Sequence, residues 1–524
     1  MSASVATGLR CANDARAGAS LSIAFSILQL AVKAGANVLI VRITLEALGA
    51  REYGIWIIIQ SITAYLLLAD FGLGQTVVNF VGDAFARQEF RRVNTILSNA
   101  FALYWVLVFC ALACCAFAIS LPLDKLLLGT TDRRFAGYFL TFAALALLRV
   151  PFTVFTAALT GMRDVPARLI YELASPMYIL GATVLVLRLG GGLLLLIAVT
   201  GIGLAAISAL SYPLLRARHH KGFAVTYRLM YRPEMSALYK NSIGFFCISI
   251  AILVQRNVPN ILAGRMIGLE VVPGVFAIQL LLRAFALPVV DSLSRSIQPY
   301  LIQWNVEQQN QKVRFITTLS AKVSILVGIG FLGGLYLFGD AIWELWLGKG
   351  HYPGKGALVL LGFAFLFDIW LLAPSNYLIA INRHRRLAFL NIAFAAAQVC
   401  FGAAGCWLWH RNPLIGMCAG LLVASVTCQL CALGVVTINE FSFRLWHFAR
   451  ELLMRPALAI GTAVALVLWL RSVVQHEPLS WIYDAMLAAI IPVSTAVVLM
   501  SPTELRWLSA TAPRLFRSKN LVRS

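Results

Sequence analysis

Six ionisable residues fall deep inside long apolar runs: Lys33, Arg149, Arg256 and Arg283 are basic, and Asp70 and Asp368 are acidic. At mid-membrane such a residue costs at least ~2.5–3.5 kcal/mol on insertion scales, so each calls for a compensating role. Gln29 lies four residues before Lys33, Gln279 four before Arg283, and Asn260 four after Arg256. That spacing puts each pair on one helix face, the pattern of a wet cavity rather than of a lipid-facing surface. Lys33 and Arg42 are nine apart, about half a turn out of phase, so Lys33 is the one assigned to the cavity. Four cations against two carboxylates leave a positive excess, which favours an anionic ligand. Arginine in particular suits bidentate contact with phosphate or carboxylate. Asp70 and Asp368 are the candidates to carry a coupling proton or sodium ion. The competing reading is that all six form interhelical ion pairs with packing roles only.

Other charges read as structural. Arg42 with Glu46, and Asp291 with Arg295, are spaced for pairing on one helix face. Lys322 lies within a few turns of a helix end and is expected to snorkel to the interface. The prolines within apolar runs (Pro151, Pro176, Pro259, Pro288, Pro374) allow kinks.

The elements that must hold these residues follow from composition. The chain has 524 residues, 60% hydrophobic and 12% charged, about half the charge of a soluble domain. The runs are continuously apolar, as in Phe139-Leu140-Thr141-Phe142-Ala143-Ala144-Leu145, whereas barrel strands alternate. The class is therefore all-α, a polytopic integral membrane protein of about fourteen spans. The candidate spans cover 21–42, 53–81, 96–121, 137–160, 168–187 and 193–215 in a first lobe. A second lobe covers 241–264, 274–298, 315–339, 357–382, 387–410 and 414–438, and two further spans cover 457–470 with its flanks and 481–500. No loop is long enough for a separate folded domain. The polar start, 1–20, lacks a cleavable signal pattern, so the first span is the expected insertion signal. Nine of the ten cysteines lie in or beside apolar runs and Cys11 in the leading tail; they read as small packing residues, with no metal-ligand spacing.

Placing the amino terminus inside puts 26 Lys and Arg on inner segments, counting Arg168 at the inner edge of its span, and 10 on outer loops, a bias that predicts both termini in the cytoplasm. The organisation expected is a tail (1–20), a six-helix lobe (21–215), a basic linker (216–240), a second six-helix lobe (241–438), a basic interfacial segment (439–456), two helices (457–500) and a basic tail (501–524). The linker's Arg216, Arg218, Lys221, Arg228, Arg232 and Lys240 anchor topology and can touch anionic headgroups. Arg444 to Arg455, interleaved with Leu445, Trp446 and Phe448, reads as an interfacial helix.

The lobes repeat weakly at an offset of 220. Tyr53-Gly54-Ile55-Trp56 answers to Pro273-Gly274-Val275-Phe276, and Arg92-Val93 to Lys312-Val313. Internal repeats are common in secondary transporters. Asp70-Phe71-Gly72 spells a kinase motif, but inside an apolar span and without a phosphate loop it carries no kinase chemistry. No Walker lysine motif, His-Glu-x-x-His or Gly-x-Ser-x-Gly occurs. An enzyme is not indicated, and no cofactor is called for.

The stretch Leu48-Gly49-Ala50-Arg51-Glu52-Tyr53-Gly54-Ile55-Trp56, then Tyr65-Leu66-Leu67-Leu68-Ala69-Asp70-Phe71-Gly72-Leu73-Gly74, resembles the opening of the polysaccharide transporter family. That family holds the Wzx-type O-antigen flippases, within the multidrug/oligosaccharidyl-lipid/polysaccharide exporter superfamily. Arg87-Gln88-Glu89-Phe90-Arg91-Arg92 and Leu159-Thr160-Gly161-Met162-Arg163 are similar too, and the six-plus-six-plus-two layout matches over nearly the whole chain. The resemblance implies a MATE-like, V-shaped two-lobe bundle that works by alternating access. It implies an undecaprenyl-diphosphate-linked oligosaccharide as substrate, an O-antigen, capsule or exopolysaccharide repeat unit, moved across a bacterial inner membrane. Polymerase and chain-length regulator proteins are implied partners, and nucleic acid is not. By analogy with lipid II flippases, 457–500 would help form a lipid groove. A drug/cation antiporter of the same fold, whose substrates a cationic cavity repels, and a non-transporting scaffold of a glycan assembly complex are the alternatives.

Overall fold

The computed structural model describes residues 2–66, 73–118, 134–162, 164–218, 252–370, 372–380, 384–440, 445–473 and 480–502, with Lys125, Asp132, Phe223, Val225, Thr226, Ile250 and Glu504. These residues are overwhelmingly helical and form no strand. Helix occupies nearly all of the described part of the fourteen apolar segments. Seven helices among the described residues are long and apolar enough to cross a membrane. In a bilayer the backbone must satisfy its own hydrogen bonds, which is why apolar runs of this length become helices. Their outward faces stay apolar: Phe109, Phe117, Leu185 and Ile202 are each more than half exposed, as suits a lipid-facing surface. The protein is thus a polytopic all-α membrane protein.

The chain divides into two compact units, Met1–Pro273 and Gly274–Ser524. In the first, the helix Ser2–Leu66 is interrupted at Gly49, whose φ of 78° separates the first two spans. At Gly54 a β-carbon would lie 2.2 Å from the carbonyl oxygen of Leu269, so only glycine allows this approach. The helix Val165–Arg188 is capped by Asp164, whose carboxylate accepts the N–H of Ala167 at 3.1 Å. Arg218 Nε donates to the same carboxylate at 2.8 Å, tying the end of Leu193–Arg218 to this cap.

In the second unit, Asn310–Leu347 is the long central element. His384–Leu408 and Pro413–Ser425 pack backbone to backbone, a β-carbon on Gly405 falling 2.0 Å from the Gly416 carbonyl. The units repeat locally at the 220-residue offset. Glu89 N–H donates to Ala84 O at 2.9 Å and Gln309 N–H to Trp304 O at 2.8 Å. Phe90 N–H reaches Gln88 O at 3.1 Å and Asn310 N–H reaches Gln308 O at 2.9 Å. The same connection therefore leads into the third span and the ninth.

Candidate functional site

Two of the membrane-embedded cations, Arg149 and Arg283, sit where the helices depart from regular α geometry. Phe135–Leu148 ends at Arg149, a 3-10 turn over Val150–Phe152 carries Pro151, and α-helix resumes at Thr153–Gly161. Pro151 has no N–H to give to the helix ladder, which accounts for the break. Arg283 lies in a π turn, Leu282–Ala286, between Val272–Leu281 and Leu287–Val306. Such turns inside α-helices are frequent at functional sites, because the extra residue redirects a side chain.

Arg283 and Asp368, which lie on separate helices, are brought within electrostatic reach of each other. Ser425 Oγ donates to Asp368 Oδ1 at 3.1 Å from a third helix. Asp368 is thus part of a cluster of three rather than an isolated carboxylate. Asp70 lies outside the described residues.

In the first unit Lys33 is exposed and Arg149 is partly buried. Neither makes an ion pair or side-chain hydrogen bond among the described residues. Arg256 is exposed, and Asn260, one turn on, is buried with its Nδ2 3.4 Å from Ser61 Oγ. Asn260 therefore braces one helix against another. Gln29 Nε2 donates to Glu172 Oε2 of the fifth span. Glu172 is a third membrane-embedded carboxylate that the sequence reading passed over, so the cationic excess is smaller than four against two. The sequence signal was present: Glu172 lies five residues inside the predicted segment 168–187, but close enough to its end to pass for an interfacial charge.

Two expectations about structural charges have opposite outcomes. Arg42 Nε meets Glu46 Oε1 at 2.9 Å, as the spacing predicts. Lys322 does not snorkel: it is fully buried, with Nζ 2.6 Å from Glu451 and 3.0 Å from Glu504. Arg455 completes the network at 2.9 Å from Glu451. A buried ammonium with two carboxylate partners needs no route to water, and the partners come from beyond residue 440, where spacing along one helix gives no hint of them. The Arg295 side chain of the predicted Asp291 pair lies outside the described residues. Burial pushes the Glu504 carboxyl up, but the Ser501 N–H and the Lys322 ammonium outweigh it and hold it below its ordinary value of 4.5.

No family model and no curated sequence matches the chain. Solved structures do. The lipid II flippase MurJ in an inward closed conformation aligns with a TM-score of 0.64 at 10% identity, covering 91% of this chain and 98% of its own. An inward-facing multidrug resistance MATE family transporter of the MOP superfamily aligns with a TM-score of 0.62 at 15% identity, covering 79% of this chain and 98% of its own. The outward-facing form of such a transporter gives a TM-score of 0.52 at 15% identity, covering 81% of this chain and 96% of its own. The chain has the fold that MurJ and the MATE transporters share.

Proposed function

We propose that the protein is a secondary transporter of the flippase type that moves polyprenyl-diphosphate-linked oligosaccharide from the inner to the outer leaflet of a bacterial inner membrane by alternating access. The observation that carries this reading is that Lys33 and Arg149 stand inside apolar helices with no ion pair or side-chain hydrogen bond among the described residues. An unneutralised cation is costly in the membrane interior, and a diphosphate would offset that cost. Arg256 and Arg283 would add guanidinium contacts to the headgroup. Asp368, beside Arg283 and Ser425, or Asp70 would carry a coupling ion. The reading takes further support from MurJ, a lipid II flippase, which aligns with more of this chain than the MATE transporters do. Both termini would face the cytoplasm, following the distribution of basic residues.

The test is deletion of the gene followed by complementation, scoring surface polysaccharide and lipid-linked intermediate in the inner membrane. Loss of surface polymer with accumulation of lipid-linked repeat units is expected, rescued by the wild type but not by Arg149→Ala or Arg283→Ala. Unchanged polysaccharide with altered sensitivity to cationic dyes would instead support a drug antiporter.

A further inference from the structure

Two π turns stand in the middle of apolar spans of the second unit, Leu282–Ala286 in the eighth span and Val426–Leu433 in the twelfth. Two others among the described residues, Ala263–Ile267 and Ala449–Met454, lie at a helix end and ahead of the thirteenth span. The mid-span pair meets at one side-chain cluster. Arg283 is the second residue of the first turn, and Ser425 immediately precedes the second. Ser425 Oγ donates to Asp368 Oδ1 at 3.1 Å, Arg283 is within electrostatic reach of the same carboxylate, and the helix of Asp368, Lys355–Trp370, packs on the π turn of the twelfth span. We propose that the two turns are a register switch held by Asp368: its carboxylate keeps an extra residue looped into each of the eighth and twelfth spans, and loss of that charge lets both relax to α-helix. The inference does not rest on what the protein transports.

The internal repeat shows that the fold does not demand these turns. At the 220-residue offset, 282–286 answers to 62–66 and 426–433 to 206–213, and both run as α-helix. The offset holds along the chain: Gln88 and Gln308 share their turn, and Arg163 and Arg383 follow the fourth and tenth spans. The first unit also lacks the cluster. Thr63, Leu148 and Ala205 stand at the places of Arg283, Asp368 and Ser425, and Arg149 beside Leu148 brings a cation but no carboxylate. Turns and cluster are present together in one unit and absent together from the other.

Proline does not account for the pair. Pro288 removes an N–H just beyond the turn of the eighth span, but no proline lies within 414–438. Pro176 and Pro213 sit inside helices that stay α throughout. A π turn is a rare departure from α-helix that gathers at functional sites, so an interaction from outside the helix has to hold it. The Asp368 cluster touches both turns. Dropping the extra residue rotates the helix beyond it by roughly 100° and shifts it by about 1.5 Å, enough to part Arg283 from Asp368.

The experiment follows backbone amide exchange by mass spectrometry in the purified full-length protein in detergent micelles. In the wild type, 282–286 and 426–433 should exchange faster than 62–66 and 206–213, because the looser turns open more readily. Asp368→Asn, equal in size and uncharged, should slow both π segments about tenfold and leave 62–66 and 206–213 unchanged. The sign separates a switch from plain damage, since a destabilised fold exchanges faster. Ser425→Ala, which removes one neutral bond, should slow 426–433 several-fold and leave 282–286 unchanged, so the test survives an Asp368→Asn variant that fails to fold. Exchange that is unchanged or faster at either π segment in Asp368→Asn, or at 426–433 in Ser425→Ala, overturns the proposal.

Discussion

Gln88 and Gln308 stand 220 positions apart and both take a left-handed backbone, with φ of 60° and 56°. Among the described residues they are the two non-glycine positions that do so. Each ends one helix and turns the chain into the next, Phe90–Ala118 in one unit and Asn310–Leu347 in the other. A side chain in this region costs roughly 1–2 kcal/mol, which glycine avoids while losing more chain entropy on folding. Gln88→Gly and Gln308→Gly should therefore each raise stability by about 0.5–1 kcal/mol, and a β-branched Gln308→Val should lower it. Thermal unfolding of the purified variants checks this. A gain at one site without a gain at the other would break the equivalence of the two turns.

The repeated glycines make a steric prediction. A β-carbon on Gly54 would sit 2.2 Å from the Leu269 carbonyl, and one on Gly274 would sit 2.8 Å from the His351 carbonyl. Backbone cannot step aside as a flexible side chain can, so Gly54→Ala should cost on the order of 1–3 kcal/mol, and Gly274→Ala somewhat less. Gly334, on a helix with open space around it, is the control. Gly334→Ala should be neutral or gain up to about 1 kcal/mol from helix propensity. Melting temperature and the monodisperse yield of each variant report the difference.

The apolar runs made the class and the helix positions legible, because a bilayer leaves the backbone few alternatives. Tyr53-Gly54-Ile55-Trp56 and Pro273-Gly274-Val275-Phe276 pointed to the repeat, and the turns at Gln88 and Gln308 now show its geometry. Pairs four residues apart, such as Arg42 with Glu46, were readable because a helix fixes their distance. Partners from distant helices were not. Nothing along the chain ties Lys322 to Glu504, Gln29 to Glu172 or Asp368 to Ser425; tertiary packing alone does so. The π turn at Arg283 was legible only as a kink: Pro288, two residues beyond it, has no N–H for the carbonyls of that turn, but a proline does not say which form the break takes.

Lys322 bridges Glu451 and Glu504 from a fully buried position, so removing its charge takes the lysine from Glu504 and leaves Glu451 to Arg455 and Arg450. Lys322→Met should cost about 3–5 kcal/mol, as breaking a buried ion pair does. Lys322→Met combined with Glu504→Gln should recover part of the loss, whereas independent sites would only add. The carboxyl of Glu504 is held below its ordinary value, so its contribution is complete above pH 4.5 and is lost as pH falls through the lower folded-state value. Melting temperature should therefore drop on acidification below pH 4.5 in the wild type. Glu504→Gln should start lower at neutral pH and show a flatter acid limb.

Arg283, Asp368 and Ser425 form one electrostatic unit on three helices, and the functional reading depends on which member acts on substrate. If Arg283 serves only to neutralise Asp368, Arg283→Gln with Asp368→Asn should restore export, because both charges leave together. The proposed role in binding diphosphate predicts otherwise. Arg283→Gln should lower export at least tenfold, the loss expected for one charge-assisted hydrogen bond. Adding Asp368→Asn should restore membrane levels without restoring export. Asp368→Asn alone should leave protein levels intact and impair transport if this carboxylate carries the coupling ion. Ser425→Ala, which removes a single neutral donor, should have the mildest effect of the set. Surface polymer and lipid-linked intermediate, quantified together in cells with matched protein levels, separate these outcomes. Full export by the double variant would reduce the cluster to a packing device and shift the anion-binding role to Lys33 and Arg149.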